Sequence, residues 1–330
     1  MRADSLDLAV EVTETQEIAS GIKLIRFNVP PGVLNLEAGA HVTFDVPKND
    51  TTMTRSYSVV DDGTGAGQLS IAVKLEPSSK GGSKYMWSLS PGDTIHISAN
   101  GNAMPPSYAA SDFVIVAGGI GVTPMTGMAR TLKRTGKPVR MVFCARSPGE
   151  AAFVSELQGV LGKDLELRYD SEKNFLDIPK LLDTVSPETV VFMCGPQGLM
   201  EAMKNGWAER NLPVQNLRYE TFANSGNHPT RSFQVTVAES GRTIEVGEDE
   251  SLLDALLESG HQVLYDCRRG ECGLCKVQVT EASANIDHRD VFLSRAERAR
   301  NDCMCACVSR LSGGHMTVNI DGITHGPLGE

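Results

Sequence analysis

Tyr265-Asp-Cys267-Arg-Arg-Gly-Glu-Cys272-Gly-Leu-Cys275 places three cysteines within one short stretch, and further on the chain reads Cys303-Met-Cys305-Ala-Cys307-Val-Ser-Arg310. Gaps of four and then two residues, followed by a distant fourth cysteine, match the spacing of a plant-type [2Fe–2S] site. Four thiolates are needed to hold two irons. Packing three of them so tightly requires a loop that folds over the cluster with its amide hydrogens aimed at the sulfurs, and Gly270 and Gly273 supply the backbone freedom for it. A structural zinc site is the rival reading, but four-Cys zinc sites usually pair Cys-x2-Cys with Cys-x2-Cys, and here the first gap is four. Counting leaves the fourth ligand open: 29 residues (276–304) precede Cys305 and 31 (276–306) precede Cys307. If the segment is a strand, Cys303, Cys305 and Cys307 all point the same way. The plainest role for a cysteine left over there is that of a small buried hydrophobe.

An iron–sulfur loop implies movement of single electrons, and the rest of the chain is long enough to hold an electron donor site. At 330 residues it exceeds one ordinary core and suits three domains. Hydrophobic content of 41% is that of a globular protein, and there is no run of 18 apolar residues to span a membrane. Met1-Arg-Ala-Asp-Ser-Leu-Asp7 lacks the charged-then-apolar pattern of a signal peptide, so a cytoplasmic location is expected. Eight cysteines, at least four of them assigned to a cluster, fit a reducing compartment, with Cys144 and Cys194 alone in other regions. A net charge of −10 argues against nucleic acid, whose binding runs on clustered Lys and Arg. An acidic surface can steer a basic protein partner, although many enzymes are acidic without one.

Working toward the N-terminus, the pattern changes twice. Residues 1–108 alternate apolar and polar with frequent turn signals, as in Leu8-Ala-Val-Glu-Val12, Gly21-Ile-Lys-Leu-Ile-Arg-Phe27, His41-Val-Thr-Phe-Asp-Val46, Gln68-Leu-Ser-Ile-Ala-Val-Lys74 and Asp93-Thr-Ile-His-Ile97. Period two with Gly and Pro punctuation predicts an antiparallel barrel or sandwich. Over 109–224, buried runs (Phe113-Val-Ile-Val-Ala117, Val139-Arg-Met-Val-Phe-Cys144, Leu165-Glu-Leu-Arg-Tyr169, Val190-Val-Phe-Met-Cys194) alternate with helical stretches, the rhythm of a parallel α/β sheet. Ala223-Asn-Ser-Gly-Asn-His-Pro-Thr230 is a linker by composition. Residues 231–330, with Phe233-Gln-Val-Thr-Val237, Arg242-Thr-Ile-Glu-Val246 and a helix over Ser251 to Ser259 leading into the cysteine loop, suit a small α+β unit of β-grasp type.

Two motifs in the first segment suit a flavin. Arg55-Ser56-Tyr57-Ser58 ends a polar stretch and is expected to open a strand. A flavin asks for a cation at its phosphate, a flat ring against the isoalloxazine and a hydrogen-bond partner near N5, which Arg55, Tyr57 and Ser58 can supply; an ordinary strand with a surface arginine is the alternative. Lys80-Gly81-Gly82-Ser83-Lys84-Tyr85 precedes a helical stretch, and a glycine pair at a helix N-terminus offers free amides to an anion. In the second segment, Gly118-Gly119-Ile-Gly121-Val-Thr123-Pro124 follows a buried strand and opens a helix with Pro in its first turn. A dinucleotide pyrophosphate fits against that N-terminus, although the motif departs from Gly-x-Gly-x-x-Gly and a tight ligand-free turn is the alternative. Cys194-Gly195-Pro196 ends a later strand, where open α/β sheets place their ligands; without a nicotinamide beside it, Cys194 is packing.

Taken in order, the whole chain resembles the phthalate dioxygenase reductase family, vanillate demethylase reductases included. The resemblance is carried by Arg55-Ser-Tyr-Ser58, Gly81-Gly-Ser83, Gly118-Gly-Ile-Gly-Val-Thr-Pro124, Cys194-Gly-Pro196, Glu220-Thr-Phe222, the cysteine loop, Asp287-His-Arg-Asp290 and Cys307-Val-Ser-Arg310. The order of domains, with the ferredoxin module last, is this family's arrangement. The resemblance implies FMN bound by Arg55, Ser56, Tyr57, Ser58, Lys74, Gly81, Gly82 and Ser83. It implies NADH as donor, with Gly119, Gly121, Thr123 and Pro124 at its phosphates, Arg146 alongside, and Cys194, Gly195 and Pro196 near the nicotinamide. Phe222 lies close to the flavin by the same analogy, so Ser58, Cys194 and Phe222 are the expected catalytic positions. Val-Ser-Arg after Cys307 selects it as fourth ligand, completing Cys267, Cys272, Cys275 and Cys307.

The parts define an oxidoreductase. Nicotinamide gives up two electrons as a hydride, a [2Fe–2S] cluster accepts one, and a flavin does both. Such a chain needs an acceptor protein, because no 2-His-1-carboxylate set and no Rieske Cys-x-His pair stands out. The expected acceptor is a Rieske-type terminal oxygenase or demethylase, the runner-up a cytochrome P450, and the expected state a monomer. A redox-sensing binding protein with the same cofactors is the alternative of a different class.

Overall fold

The structure of the protein, a computed structural model, describes residues 6–48, 51–61, 67–77, 81–102, 104–222 and 230–320. The linker expected before Thr230 falls on residues 223–229, outside the described residues, as does Lys80 of the first glycine motif. Two compact units make up the chain, Met1–Glu220 and Thr221–Glu330.

The first unit opens with β1 (Leu8–Ala19), β2 (Ile22–Asn28), β3 (Ala40–Lys48), β4 (Thr51–Ser58), β5 (Gln68–Lys74), α1 (Gly82–Ser88) and β6 (Thr94–Asn102). The six strands form one antiparallel sheet in the order β4-β3-β6-β1-β2-β5. The ring closes where Val59 bridges Ile71 and the Val60 N–H donates to the Ser70 carbonyl at 2.9 Å. Alternation sends Val10, Val12, Phe27, Val42, Phe44, Val46, Leu69 and Ile71 into the core, as a half-buried strand requires. Arg55-Ser-Tyr-Ser58 closes strand β4 rather than opening one. The threonines before it hide the strand from a hydrophobicity pattern, although their β-branched side chains favour extended backbone.

Next come β7 (Phe113–Gly118), α2 (Val122–Lys133), β8 (Val139–Ala145), α3 (Val154–Leu161), β9 (Leu165–Tyr169), α4 (Ile178–Leu182), β10 (Val190–Cys194), α5 (Gln197–Glu209) and β11 (Leu217–Glu220). The strands are all parallel in the order β11-β10-β7-β8-β9. The order reverses between β7 and β10, so the chains leaving these two neighbours diverge and open a crevice at their carboxyl ends. Barrel and parallel sheet meet tightly: a Cβ on Gly127 of α2 would lie 2.2 Å from the Asp61 carbonyl oxygen, and Arg130 Nη2 donates to the Val60 carbonyl at 2.8 Å.

The second unit comprises β12 (Phe233–Val237), β13 (Arg242–Val246), α6 (Leu252–Glu258), β14 (Lys276–Ala282), β15 (Ile286–Asp287), α7 (Arg295–Arg300), β16 (Cys303–Cys305), β17 (Arg310–Leu311) and β18 (His315–Asn319). The main sheet runs β13-β12-β18-β14-β16, with β12 and β18 parallel, and β15 pairs with β17 apart from it. Ser251 caps α6 by accepting the Asp254 N–H, and Leu252, Leu253 and Leu256 bury the helix in this unit's core. From α6 the chain enters the cysteine loop and leaves it as β14.

Candidate functional site

Strand β4 carries the flavin motif. Its register sets Arg55 opposite Phe44 and Tyr57 opposite Val42, and the Phe44 and Tyr57 rings lie 6.1 Å apart. Tyr57 is packed against the barrel core, and burial pushes its hydroxyl up to about 12, against the pull of Arg55. It is therefore a neutral donor at ordinary pH. Arg55 folds over the start of α1: a Cβ on Gly82 would come within 2.8 Å of Arg55 Nε. Gly81 precedes it with φ +117°, a conformation open to glycine, and the first turn of α1 holds no acidic residue. A guanidinium thus stands at a helix start with no side-chain cap, a donor set that fits a phosphate. Lys74 ends β5, and two residues later the Glu76 N–H donates to Ser83 Oγ at 3.1 Å, tying that strand to α1. Ser56 is exposed and exchanges a hydrogen bond with Thr43 at 2.8 Å.

Ser58 is buried at the end of β4 and donates to Glu220 Oε2 at 3.1 Å, across 162 residues of sequence. Glu220 ends β11, is itself 2% exposed, and pairs in register with Cys194 of β10. In the sequence Glu220 stands out only as part of Glu220-Thr-Phe222; the signal of its own is an acidic residue closing a strand of a parallel sheet. On the far side of Cys194 lies the nucleotide loop. A Cβ on Gly121 would stand 2.3 Å from the Cys194 carbonyl oxygen, and one on Gly195 would stand 3.1 Å from Gly118 Cα. The two loops touch backbone to backbone at the point where the sheet reverses. Gly119 takes φ +54°, Thr123 Oγ1 donates to the Ile120 carbonyl at 3.0 Å, and Pro124 is buried in the first turn of α2. Gly119 and Gly121 keep this strand-to-helix turn free of side chains, which leaves room for a pyrophosphate to approach its backbone, with Cys194 and Pro196 walling the next position along the crevice. Arg146 is exposed just beyond β8, and its carbonyl accepts the Ser171 N–H at 2.9 Å.

In the second unit the cysteine loop wraps its own sulfurs. The amides of Arg269, Glu271 and Cys272 all point at Cys267 Sγ, each at 3.4 Å. The thiols fall into two groups, Cys267 with Cys272, and Cys275 with Cys305 and Cys307. Hydrogen bonds from Cys305 and Cys307 outweigh burial and hold the Cys275 thiol down to about 3, while burial raises Cys267 against its amide bonds. Two sulfurs in one group and three in the other, with amides directed at Cys267, are enough for a two-iron cluster, because each iron asks for two protein ligands. Strand β16 stops at Cys305, so Cys307 sits in the following turn and leaves the alternation that Cys303 and Cys305 share.

Asp287-His-Arg-Asp290 and Ser309 brace both limbs of the loop. Asp290 is fully buried, accepts the Leu293 N–H at 2.8 Å and the Ser309 hydroxyl at 3.1 Å, and backs onto Gly270, where a Cβ would lie 2.8 Å from Asp290 Cα. Gly270 and Gly273 adopt φ +72° and +73°, and a Cβ on Gly273 would strike the Phe292 ring at 2.3 Å. Both glycines are therefore required by backbone and by contact. Arg310 reaches the carbonyls of Gly247 and Arg231 at 2.7 and 3.1 Å. Phe222, expected at the flavin, is half-buried in this second unit.

Comparison with known proteins agrees with this division. A family described as a 2Fe-2S iron-sulfur cluster binding domain matches residues 235–312, and one described as an oxidoreductase FAD-binding domain matches 9–103. The chain is 33% identical to the heme-dependent oxidative N-demethylase beta subunit of Ectopseudomonas mendocina, covering 95% of this chain and 99% of that one. It is 32% identical to the phthalate 4,5-dioxygenase oxygenase reductase subunit of Pseudomonas putida, over 91% and 93% of the two chains. Among solved structures, phthalate dioxygenase reductase, described as modular for electron transfer from pyridine nucleotides to [2Fe–2S], superposes with a TM-score of 0.73 at 29% identity, covering 95% of this chain and 98% of that one.

Proposed function

Because the chain belongs to the phthalate dioxygenase reductase family, an oxidoreductase family of flavin and [2Fe–2S] domains, we propose that it is the NADH-dependent reductase component of an oxygenase or demethylase, with FMN as its flavin. The observation that carries the reading is the coexistence, in one chain, of thiols gathered at Cys267/Cys272 and Cys275/Cys305/Cys307 with the Arg55–Gly82 and Gly121–Cys194 close approaches. Bound flavin supplies the exchange of two electrons with a nicotinamide and of one with an iron–sulfur cluster.

The protein's part is to bind, orient and exclude water. Arg55 and the amides of Gly82 and Ser83 take the flavin phosphate, with Lys74 near by, and a phosphate monoester suits one guanidinium at one helix start. Tyr57 stays a neutral ring and donor. Glu220 holds the Ser58 hydroxyl in one orientation, buried from solvent, as a positioning residue at the edge of the crevice. Gly119, Gly121, Thr123 and Pro124 shape the pyrophosphate turn, where any side chain on Gly121 would close the space. Cys194, Gly195 and Pro196 wall the nicotinamide position, and Phe222 is proposed beside the flavin. Arg146 is the cation in the Arg146-Ser147-Pro148 segment that follows β8, which supports NADH rather than NADPH. Cys267, Cys272, Cys275 and Cys307 are the proposed cluster ligands, with domains at 1–108, 109–224 and 231–330.

The proposed partner is a Rieske-type oxygenase, and the proposed location the cytoplasm, where eight free thiols stay reduced. A haem acceptor is the second reading, favoured by the name of the 33% identical demethylase subunit. Acid extraction of the purified chain should release FMN together with iron and sulfide, and kcat/KM should favour NADH over NADPH. FAD as the main flavin, zinc in place of iron, or a preference for NADPH would each overturn the corresponding part.

A further inference from the structure

Glu271 stands inside the cysteine loop, and its backbone and side chain serve different partners. Its N–H is one of the three amides aimed at Cys267 Sγ, at 3.4 Å. Its carboxylate meets Thr221, 50 residues earlier in the sequence and also in the second unit. Glu271 Oε1 accepts both the Thr221 N–H and the Thr221 hydroxyl, each at 2.5 Å. The hydroxyl also lies 3.3 Å from the Arg269 carbonyl, but its single proton serves the shorter, charge-assisted bond. Arg269 Nη2 stands 3.6 Å from the other carboxylate oxygen. Thr221 is buried and the Glu271 side chain is 13% exposed, so little water competes for these bonds.

The loop aims its amides inward by passing through the left-handed region twice, at Arg268 (φ +52°) and Gly270 (φ +72°). Glycine does so freely, whereas a residue with a side chain keeps that conformation only where its surroundings fix it. The ion pair of Arg268 with Asp254 at 2.7 Å fixes one side of this turn, and Thr221 on Glu271 fixes the other. Amides aimed at a ligating sulfur favour the more negative, reduced cluster and so raise its potential.

We infer that Thr221 is a positioning residue that sets the reduction potential of the cluster, by holding the Glu271 carboxylate so that the amides of Arg269, Glu271 and Cys272 stay aimed at the Cys267 sulfur. This rests on the reading of Cys267 as a cluster ligand. The test uses the full chain with three substitutions. Thr221→Val keeps the shape and the backbone amide but removes the hydroxyl, and Thr221→Ser restores it. Thr236→Val removes a hydroxyl of the same unit that bonds Thr243 and His315 instead, and is the control. Each is read by iron and sulfide content, the EPR signal of the reduced cluster, its midpoint potential and amide hydrogen exchange across residues 267–272.

All three variants should keep a full cluster. In Thr221→Val the potential should move negative and the loop amides should exchange faster. Both should return to wild-type values in Thr221→Ser and hold in Thr236→Val. An unchanged potential in Thr221→Val, a shift without faster exchange, no rescue by Thr221→Ser, or an equal shift in Thr236→Val overturns the inference. So does loss of iron from either Thr221 variant, which would make the contact a requirement for assembly. Failure of the cluster reading itself looks different: the unaltered chain would then carry no iron and give no EPR signal.

Discussion

Asp290 shows how a single buried carboxylate can govern a loop it does not belong to. Burial pushes its pKa upward, but the nearby His288 ring and hydrogen bonds from the Leu293 amide and the Ser309 hydroxyl outweigh that and hold it below the 3.8 of an unperturbed Asp. A carboxyl whose folded value is depressed stabilises the fold fully above its unfolded value and loses that contribution as pH falls through the folded one. Bleaching of the cluster's visible absorbance should therefore stay small down to about pH 4 and accelerate below it. Asp290→Asn cannot accept as an anion, and a buried hydrogen bond to a charged group contributes about 1.5–3 kcal/mol. The variant should bleach at lower temperature at pH 7 and show a flatter acid limb, both visible in absorbance-monitored melts. A wild-type acid limb retained in Asp290→Asn would assign that limb to another group.

At the scale of elements, the nucleotide crevice depends on two turns that approach without side chains between them. Strand β7 is buried along its whole length and must leave the sheet beside β10, because the order of the strands reverses there. Gly121 meets the Cys194 carbonyl so closely that a methyl group would be 2.3 Å from it. Neither partner can yield without moving a central strand, and overpacking of this kind costs about 1–3 kcal/mol. Gly121→Ala should raise the KM for NADH about tenfold or more, since about 1.4 kcal/mol corresponds to a factor of ten. Iron content should stay unchanged, because the cysteine loop lies in the other unit. Kinetics and iron assay on the same preparation check both halves, and parallel loss of iron would point to general misfolding instead.

For the whole molecule, the division at Glu220 matters more than the number of sheets. Barrel and parallel sheet share one compact unit, closed by Gly127 on Asp61 and by the Ser58–Glu220 bond, so the proposed flavin and nucleotide sites are held by one body. Cluster ligation belongs to the second. Cys307→Ala should abolish the cluster's EPR signal and the reduction of a one-electron acceptor protein. Anaerobic stopped-flow reduction of the flavin by NADH should change less than about twofold, because that step draws on residues of the first unit. A cluster that survives in Cys307→Ala would move the fourth ligand to Cys305.

Periodicity and spacing are local properties, and where they rule, the chain was legible on its own. Gln68–Lys74, Leu165–Tyr169, Val190–Cys194, Phe233–Val237 and Arg242–Val246 are read from their patterns as strands and are strands with those bounds. The succession of antiparallel barrel, parallel α/β sheet and small α+β unit and the [2Fe–2S] reading of the cysteine loop follow from the same kind of signal, since each depends on neighbours in sequence. Polar β4 and short β11 carried no such signal. What only the tertiary structure decided are the meetings of distant residues: Arg55 over Gly82, Gly121 against Cys194, Ser58 on Glu220, and Cys305 on Cys275. These depend on barrel closure, on the reversal of strand order at β7 and on the register of β14 with β16, and topology of that kind leaves no period in the chain.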